Sequence, residues 1–215
     1  MKHYRSRNQG RMRCAACIAT LGLAFTIALP HAAHADDIVP PIVPDKIQVL
    51  APNEVFLIGH ATGSQNYVCV PSGTGVDWSL FTPEATLFND SIQQVTTHFF
   101  SVNPNPDDRG AIRATWESSK DSSAVWAAAT GVATFATDPA FVRPDAVAWL
   151  RLAAVGVEPG PTGGDRLSRT TFIQRINTVG GLPPATGCTQ VSDLGKRAFV
   201  PYTADYVFYH DPASR

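Results

Sequence analysis

Alternation of apolar and polar positions is the dominant pattern along this chain. It is clearest in "AIRATWES", where Ile112, Ala114 and Trp116 interleave with Arg113, Thr115 and Glu117, the period of a half-buried strand. "NEVFLIGHATGSQNYVCVPSG" reads as two short runs around Gly59 to Gly63, with Tyr67 and Cys69 on one face of the second and Gly73 and Gly75 ending it. "QQVTTHFFS" and "RAFVPYTADYVFYH" are rich in Thr, Val, Tyr and Phe, which suit a pleated surface. Turn signals such as "NPNPDDRG" and "EPGPTGGD" separate these runs. Two stretches fit either period. "RPDAVAWLRLAAV" has Pro144 where a helix would begin, and "RTTFIQRINTVGG" sets Phe172, Ile176 and Val179 at helical spacing before a glycine stop. Strand or helix therefore stays open for residues 144–155 and 170–179. With Leu, Lys and Glu scarce, the expected fold is mainly β: a single-domain antiparallel β-sandwich or barrel-like sheet with long loops and few short helices.

The N-terminus follows another grammar. Lys2, Arg5, Arg7, Arg11 and Arg13 precede an apolar run from Cys14 to Leu29, then Pro30 and Ala33-His34-Ala35. A basic flank, a short apolar core and small residues at the cleavage positions predict a secretory signal peptide over residues 1–35, cut after Ala35. The apolar run is shorter than the ~20 residues a spanning helix needs. No twin-arginine pair is present, and Cys17 has too little apolar sequence before it for lipidation. Residues 36–52 carry four prolines and should run extended over the surface, and residues 53–215 should form one β-rich domain. The expected destination is secreted or periplasmic, with no membrane span after cleavage.

Removing the signal changes the charge. Five of the 17 basic residues lie in it, leaving 12 against 18 acidic ones, a formal charge of −6. That balance disfavours nucleic acid and anionic membrane as partners and leaves an extracytoplasmic ligand or envelope component. Only Cys69 and Cys188 remain of four cysteines, and an oxidising destination predicts that they join. Such a bridge contributes about 5 kcal/mol in the chain-entropy model, with ~2 to 4 kcal/mol more usual. The competing readings, a metal pair or a reactive thiol, lack a CxxC spacing and a neighbouring histidine.

Candidate chemistry is sparse. His60, His98 and His210 sit at or within strands, but no His-x-His or His-Glu-x-x-His spacing places two ligands on one element, and no metal site is expected. His98 follows Thr96 and Thr97 in an apolar strand, where a buried imidazole needs a hydrogen-bond partner. Glu84, Glu117, Asp121 and Asp205 lie near aromatics, as in glycosidases that pair two carboxylates. Glu84 equally reads as a cap, and Asp121 as a turn residue bonding its own backbone. Ser122 and Ser123 lack the Gly-x-Ser-x-Gly elbow. "PSGTGVDW" and "PGPTGGD" lack the Gly-Lys-Ser/Thr ending of a phosphate loop, so no cofactor is expected. The catalytic candidates are thus His98, Glu84 and Asp121.

Ligand-binding candidates come from the aromatics and one arginine. Alternation sets Tyr206, Phe208 and His210 on one face of the last strand and Asp205, Val207 and Tyr209 on the other. One face must fill the core, and the other, together with Trp78, Trp116, Trp126 or Trp149, is suited to stack on a sugar or another flat ligand. Arg175, flanked by Ile173 and Ile176, needs a carboxylate if buried. Free and facing a pocket, it would bind an anion or carboxylate. Trp116, Arg175, Tyr206 and Tyr209 are the binding candidates.

The strings "GSQNYVC", "PEATLF", "ATWESSKDSSAVW", "FIQRINTVGGLPPATGC" and "VPYTADYVFY" occur in an order that resembles the family catalogued as domain of unknown function 3455, found in exported bacterial and fungal proteins. The resemblance spans nearly the whole chain after the signal. It implies an exported single domain with a cysteine pair matching Cys69 and Cys188, and it supplies no activity, substrate, cofactor or functional residue. This chain departs from the family pattern in the segment "FFSVNPNPDDRGAIRA", which separates His98 from Trp116. Two functional classes follow: a disulfide-stabilised binding or cell-envelope interaction module, preferred because no spacing motif selects a reaction, and a secreted hydrolase acting on carbohydrate or ester substrates. A deep pocket collecting His98, Glu84 and Asp121 would favour the hydrolase, and a shallow aromatic face the binding module.

Overall fold

In the computed structural model, which describes residues 38–214, β1 (Glu54–Ser72), β2 (Gly75–Phe88), β3 (Gln94–Val102), β4 (Ile112–Ser118), β5 (Ala124–Ala133), β6 (Trp149–Glu158), β7 (Thr170–Gly180) and β8 (Arg197–His210) pair in chain order. β8 then returns to pair antiparallel with β1, closing the sheet into an eight-stranded up-and-down barrel. Of the two expected architectures the barrel is the one formed, and closure leaves no sheet edge to protect. Among the described residues helical structure is confined to three short 3-10 turns, Asp45–Ile47, Pro106–Asp108 and Val191–Asp193. The signal peptide expected over residues 1–35 lies outside the described residues. No helix among the described residues is long and apolar enough to cross a membrane.

Both stretches left open by their spacing are strands, β6 and β7. An interval of four residues satisfies a period of two as well as a period of 3.6, so Phe172 and Ile176 share one face of β7 as they would share one face of a helix. The register then slips between Ile176 and Val179, where Asn177 has φ of 51°, and Val179 falls out of that set.

Alternation sorts side chains into two cores. Inside the barrel, Leu57, Leu87, Val125, Ile173 and Phe208 fill the end from which β1 starts, and Leu167 of the β6–β7 connection closes it. On the outer wall, Ile47, Trp149, Ile176, Val207 and Tyr209 form the second core, with Val43 and Val49 packed against it. Residues 38–52 thus form a strap whose single 3-10 turn drives Ile47 to 0 % exposure. The Gln174 amide donates to the Ile47 carbonyl at 2.6 Å, and Lys46 pairs with Asp138 at 2.7 Å. Gly131 permits this approach, because a Cβ there would stand 2.3 Å from the Lys46 carbonyl oxygen.

Cys69 and Cys188 form the expected disulfide, with Cα atoms 5.5 Å apart. It fastens the far end of β1 to the long β7–β8 connection, beside the hydrogen bond from Cys69 N–H to the Lys196 carbonyl.

Because Ile47 is the only side chain of the strap's turn that enters the outer core, Ile47→Ala should destabilise the domain by about 2 to 5 kcal/mol, the cost of truncating a buried aliphatic side chain. Urea unfolding monitored by circular dichroism checks this. A change below about 0.5 kcal/mol, the range of ordinary surface substitutions, would show the strap to be peripheral.

Candidate ligand cavity in the barrel mouth

The end of the barrel away from Leu167 is not filled. There the sheet encloses a cavity of about 260 Å³ whose apolar wall includes Leu80, Phe100, Ala114, Ala127, Leu150 and Leu152. Its floor is aromatic. β3 and β4 pair with His98 opposite Trp116, so the rings stack at 4.2 Å with an interplanar angle of 9°. Tyr206 closes on both, with its ring centroid 5.1 Å from His98 and 5.4 Å from Trp116. The segment that separates His98 from Trp116 in sequence is spent on the β3–β4 connection, whose Pro106–Asp108 turn is capped by the Asn105 side chain. It leaves the strand register intact.

The hydrogen-bond partner that a buried His98 needs is the Thr115 carbonyl, 2.9 Å from Nδ1. Nδ1 must carry the proton to donate there, which leaves Nε2 as a lone-pair acceptor. Burial pushes the imidazole pKa from 6.5 down to about 3, against the raising effect of that carbonyl, so His98 is neutral near neutral pH. Burial likewise pushes the Tyr206 and Tyr202 phenols up, and their hydroxyls meet at 3.2 Å.

Arg175 on β7 stands opposite Tyr206 on β8, and its side chain lines the same cavity. Its Nε and Nη2 donate to the Ala148 carbonyl at 3.1 and 2.9 Å. No carboxylate among the described residues forms an ion pair with it. The Gln65 amide Nε2 and the Trp116 indole Nε1, on residues 1 % and 0 % exposed, are sealed within the cavity wall and have no hydrogen-bond partner among the described residues.

His98, Trp116, Arg175 and Tyr206 are therefore brought together in this cavity; Glu84 and His98 also border one open recess on the outer wall, and the remaining candidates stand apart. Glu84 lies on the outer wall, where it accepts from the Asn66 amide at 3.2 Å. Asp121 sits in the β4–β5 turn at the opposite end of the barrel, where its carboxylate accepts from the Ser123 N–H and hydroxyl and from the Arg166 N–H. Burial raises the Asp121 pKa, but these hydrogen bonds outweigh it and hold the group at about 2. Asp121 thereby shapes the turn beside the Leu167 plug, whose N–H donates to the Ser123 hydroxyl. Tyr209 is buried in the outer core with its hydroxyl donating to Gln174 at 2.6 Å. Trp78, Trp126 and Trp149 line no part of the cavity. His60 stands on the outer wall between Asp205 and Asp90, far along the barrel from its mouth. Among the described residues no three His, Cys, Asp or Glu side chains gather as metal ligands. Sequence reasoning passed over Gln65. Its signal is positional: it continues the inward set of Ala61 and Gly63 at period two, a lone amide on an otherwise apolar face.

A family model described as Protein of unknown function (DUF3455) matches residues 50–210. No curated protein and no solved structure matches the chain.

The neutral His98 has a measurable consequence. The unfolded chain takes up a proton near 6.5 that the folded protein refuses until about 3, so the stability tied to the neutral imidazole is complete above 6.5 and is lost as the pH falls towards 3. Between about pH 6 and about pH 4, urea unfolding of the native protein should lose about 1.4 kcal/mol per pH unit more than unfolding of His98→Gln. Parallel pH profiles for the two would contradict a buried neutral His98.

Proposed function

The chain belongs to the DUF3455 family, and from that premise we propose that it is a disulfide-stabilised binding module of the secreted or periplasmic space, whose barrel holds a small apolar molecule in the cavity floored by His98, Trp116 and Tyr206. The observation that carries this reading is the composition of the cavity wall. Ten of its sixteen residues are aliphatic, proline or phenylalanine, and neither Ser, Thr, Cys, Asp nor Glu is among them. An apolar concavity with a few convergent polar groups is the usual form of a small-molecule site. At the ~30 Å³ that each water occupies in the liquid, the space equals about nine waters, so it suits a ligand of about ten non-hydrogen atoms.

The candidate groups for hydrolysis are not gathered at one place among the described residues. Hydrolysis of a glycoside requires two carboxylates flanking the bond, and hydrolysis of an ester by covalent catalysis requires an activated nucleophile. Glu84 and Asp121 stand on the outer wall and at the opposite end of the barrel, and His98 donates its ring proton to a backbone carbonyl. The Cys69–Cys188 bridge supports an oxidising location, as does the signal-like N-terminus.

The test is a nuclear magnetic resonance titration of the exported protein with a panel of compounds of about ten non-hydrogen atoms, both neutral and anionic. Saturable shifts of the Trp116 indole N–H are expected for at least one, and Ala114→Trp, which fills the cavity from its wall, should abolish them. A panel that leaves this signal unmoved, or that shifts it equally in Ala114→Trp, would contradict the reading.

A further inference from the structure

We propose that the molecule bound in the barrel mouth is a monocarboxylic acid with an apolar body, its carboxylate held by Arg175. The inference rests on the cavity being a binding site and adds the chemistry of what enters it.

Two arginines line the cavity, and they are in opposite states. Arg113 is neutralised: its Nε and Nη2 form a two-pronged pair with the Asp108 carboxylate at 2.7 and 2.6 Å. Arg175 has no such partner. Among the described residues its side chain donates to the Ala148 carbonyl, which engages Nε and Nη2 and carries no charge. A guanidinium carries five N–H donors, so Arg175 brings to the cavity wall spare donors and a charge that no carboxylate among the described residues matches. Arg175 is half-buried, so an anion seated on it gains a fork of charge-assisted hydrogen bonds partly sheltered from water.

The other polar groups of the lining carry no charge. Gln65 Nε2 and Trp116 Nε1 are sealed within the wall, so Arg175 is the donor that meets a ligand in a space no larger than about nine waters. A carboxylate has two oxygens with about four lone-pair directions and the geometry to receive a guanidinium fork. An amide of the same shape has one oxygen and no charge to set against the guanidinium. Leu80, Phe100, Leu150 and Leu152 offer nothing polar to the rest of the molecule, which excludes sugars and dianionic phosphates as good fits and favours an alkyl or aryl body.

The experiment compares acids with their isosteric amides by isothermal titration calorimetry on the exported, disulfide-bonded protein. Hydrocinnamate is paired with hydrocinnamamide for an aryl body, and octanoate with octanamide for an alkyl one. In the native protein at least one acid should bind about tenfold more tightly than its amide, the margin between a charge-assisted and a neutral hydrogen-bonded contact. Arg175→Met should bring that ratio to near one by weakening the acid and leaving the amide unchanged, and Arg175→Lys should fall between, since it keeps the charge and loses the fork. An amide that binds the native protein as tightly as its acid overturns the carboxylate assignment, whatever the variants do. An acid preference that survives Arg175→Met overturns the role of Arg175. If neither acid nor amide binds while the wider panel shows binding in the cavity, the carboxylate assignment alone falls; if nothing binds there, the binding reading falls with it.

Discussion

The ladder between β1 and β8 is the constraint on which everything else depends. It joins the first and last strands of the domain, and by closing the sheet it decides for every residue of every strand whether it faces in or out. A shift of one residue would carry each inward side chain to the solvent face. With the register as found, Gly59 stands beside Tyr206 and Ala61 beside Ala204, and Arg175 on β7 opposes Tyr206, so the cation and the phenol share the interior. The disulfide secures the far end of this same β1, and the strap covers the outer faces of β7 and β8, so the covalent bridge and the second core both reinforce the closure.

Closure also sets up an asymmetry between the two ends. One is packed solid by Leu57, Leu87, Val125 and Phe208 and sealed by Leu167, held in place through Ser123 and Asp121. At the other end small residues, Ala114, Ala127 and Ala129, stand where larger ones would fill the bore. Eight strands enclose just enough room for side chains or for one small ligand, and small side chains at one end tip this barrel towards the second outcome. An aromatic floor, aliphatic walls and an unmatched guanidinium are the consequence.

Much of this was legible in the residues. Period-two alternation identified β4 and the two faces of β8, and the cysteine count identified the bridge. The family resemblance is matched over residues 50–210. Arg175 was legible as a residue whose meaning depends on burial and partner, because an arginine between Ile173 and Ile176 has an energetic problem that sequence can pose and only tertiary structure can answer. Less legible were features that depend on closure. Tyr209 and Trp149 looked available to a ligand because nothing local reveals that a proline-rich strap lies over them. β7 was ambiguous because Phe172 and Ile176 satisfy two periods at once. The partnering of His98 with Trp116 across an inserted segment required a register that only the β3–β4 pairing supplies. Glu84 and Asp121 carried the right functional groups, but their positions along the barrel, on the outer wall and in the far turn, follow from strand parity and length.

The central claim is that barrel closure places an arginine without a counter-ion at a cavity made for a small apolar anion. Its most direct test is a crystal structure of the oxidised protein soaked with hydrocinnamate. The account predicts electron density for the acid inside the barrel mouth, its carboxylate on the Arg175 guanidinium and its ring over the Trp116 and Tyr206 floor. Ligand density confined to the outer wall, or an Arg175 turned out of the barrel onto a protein carboxylate, would contradict it.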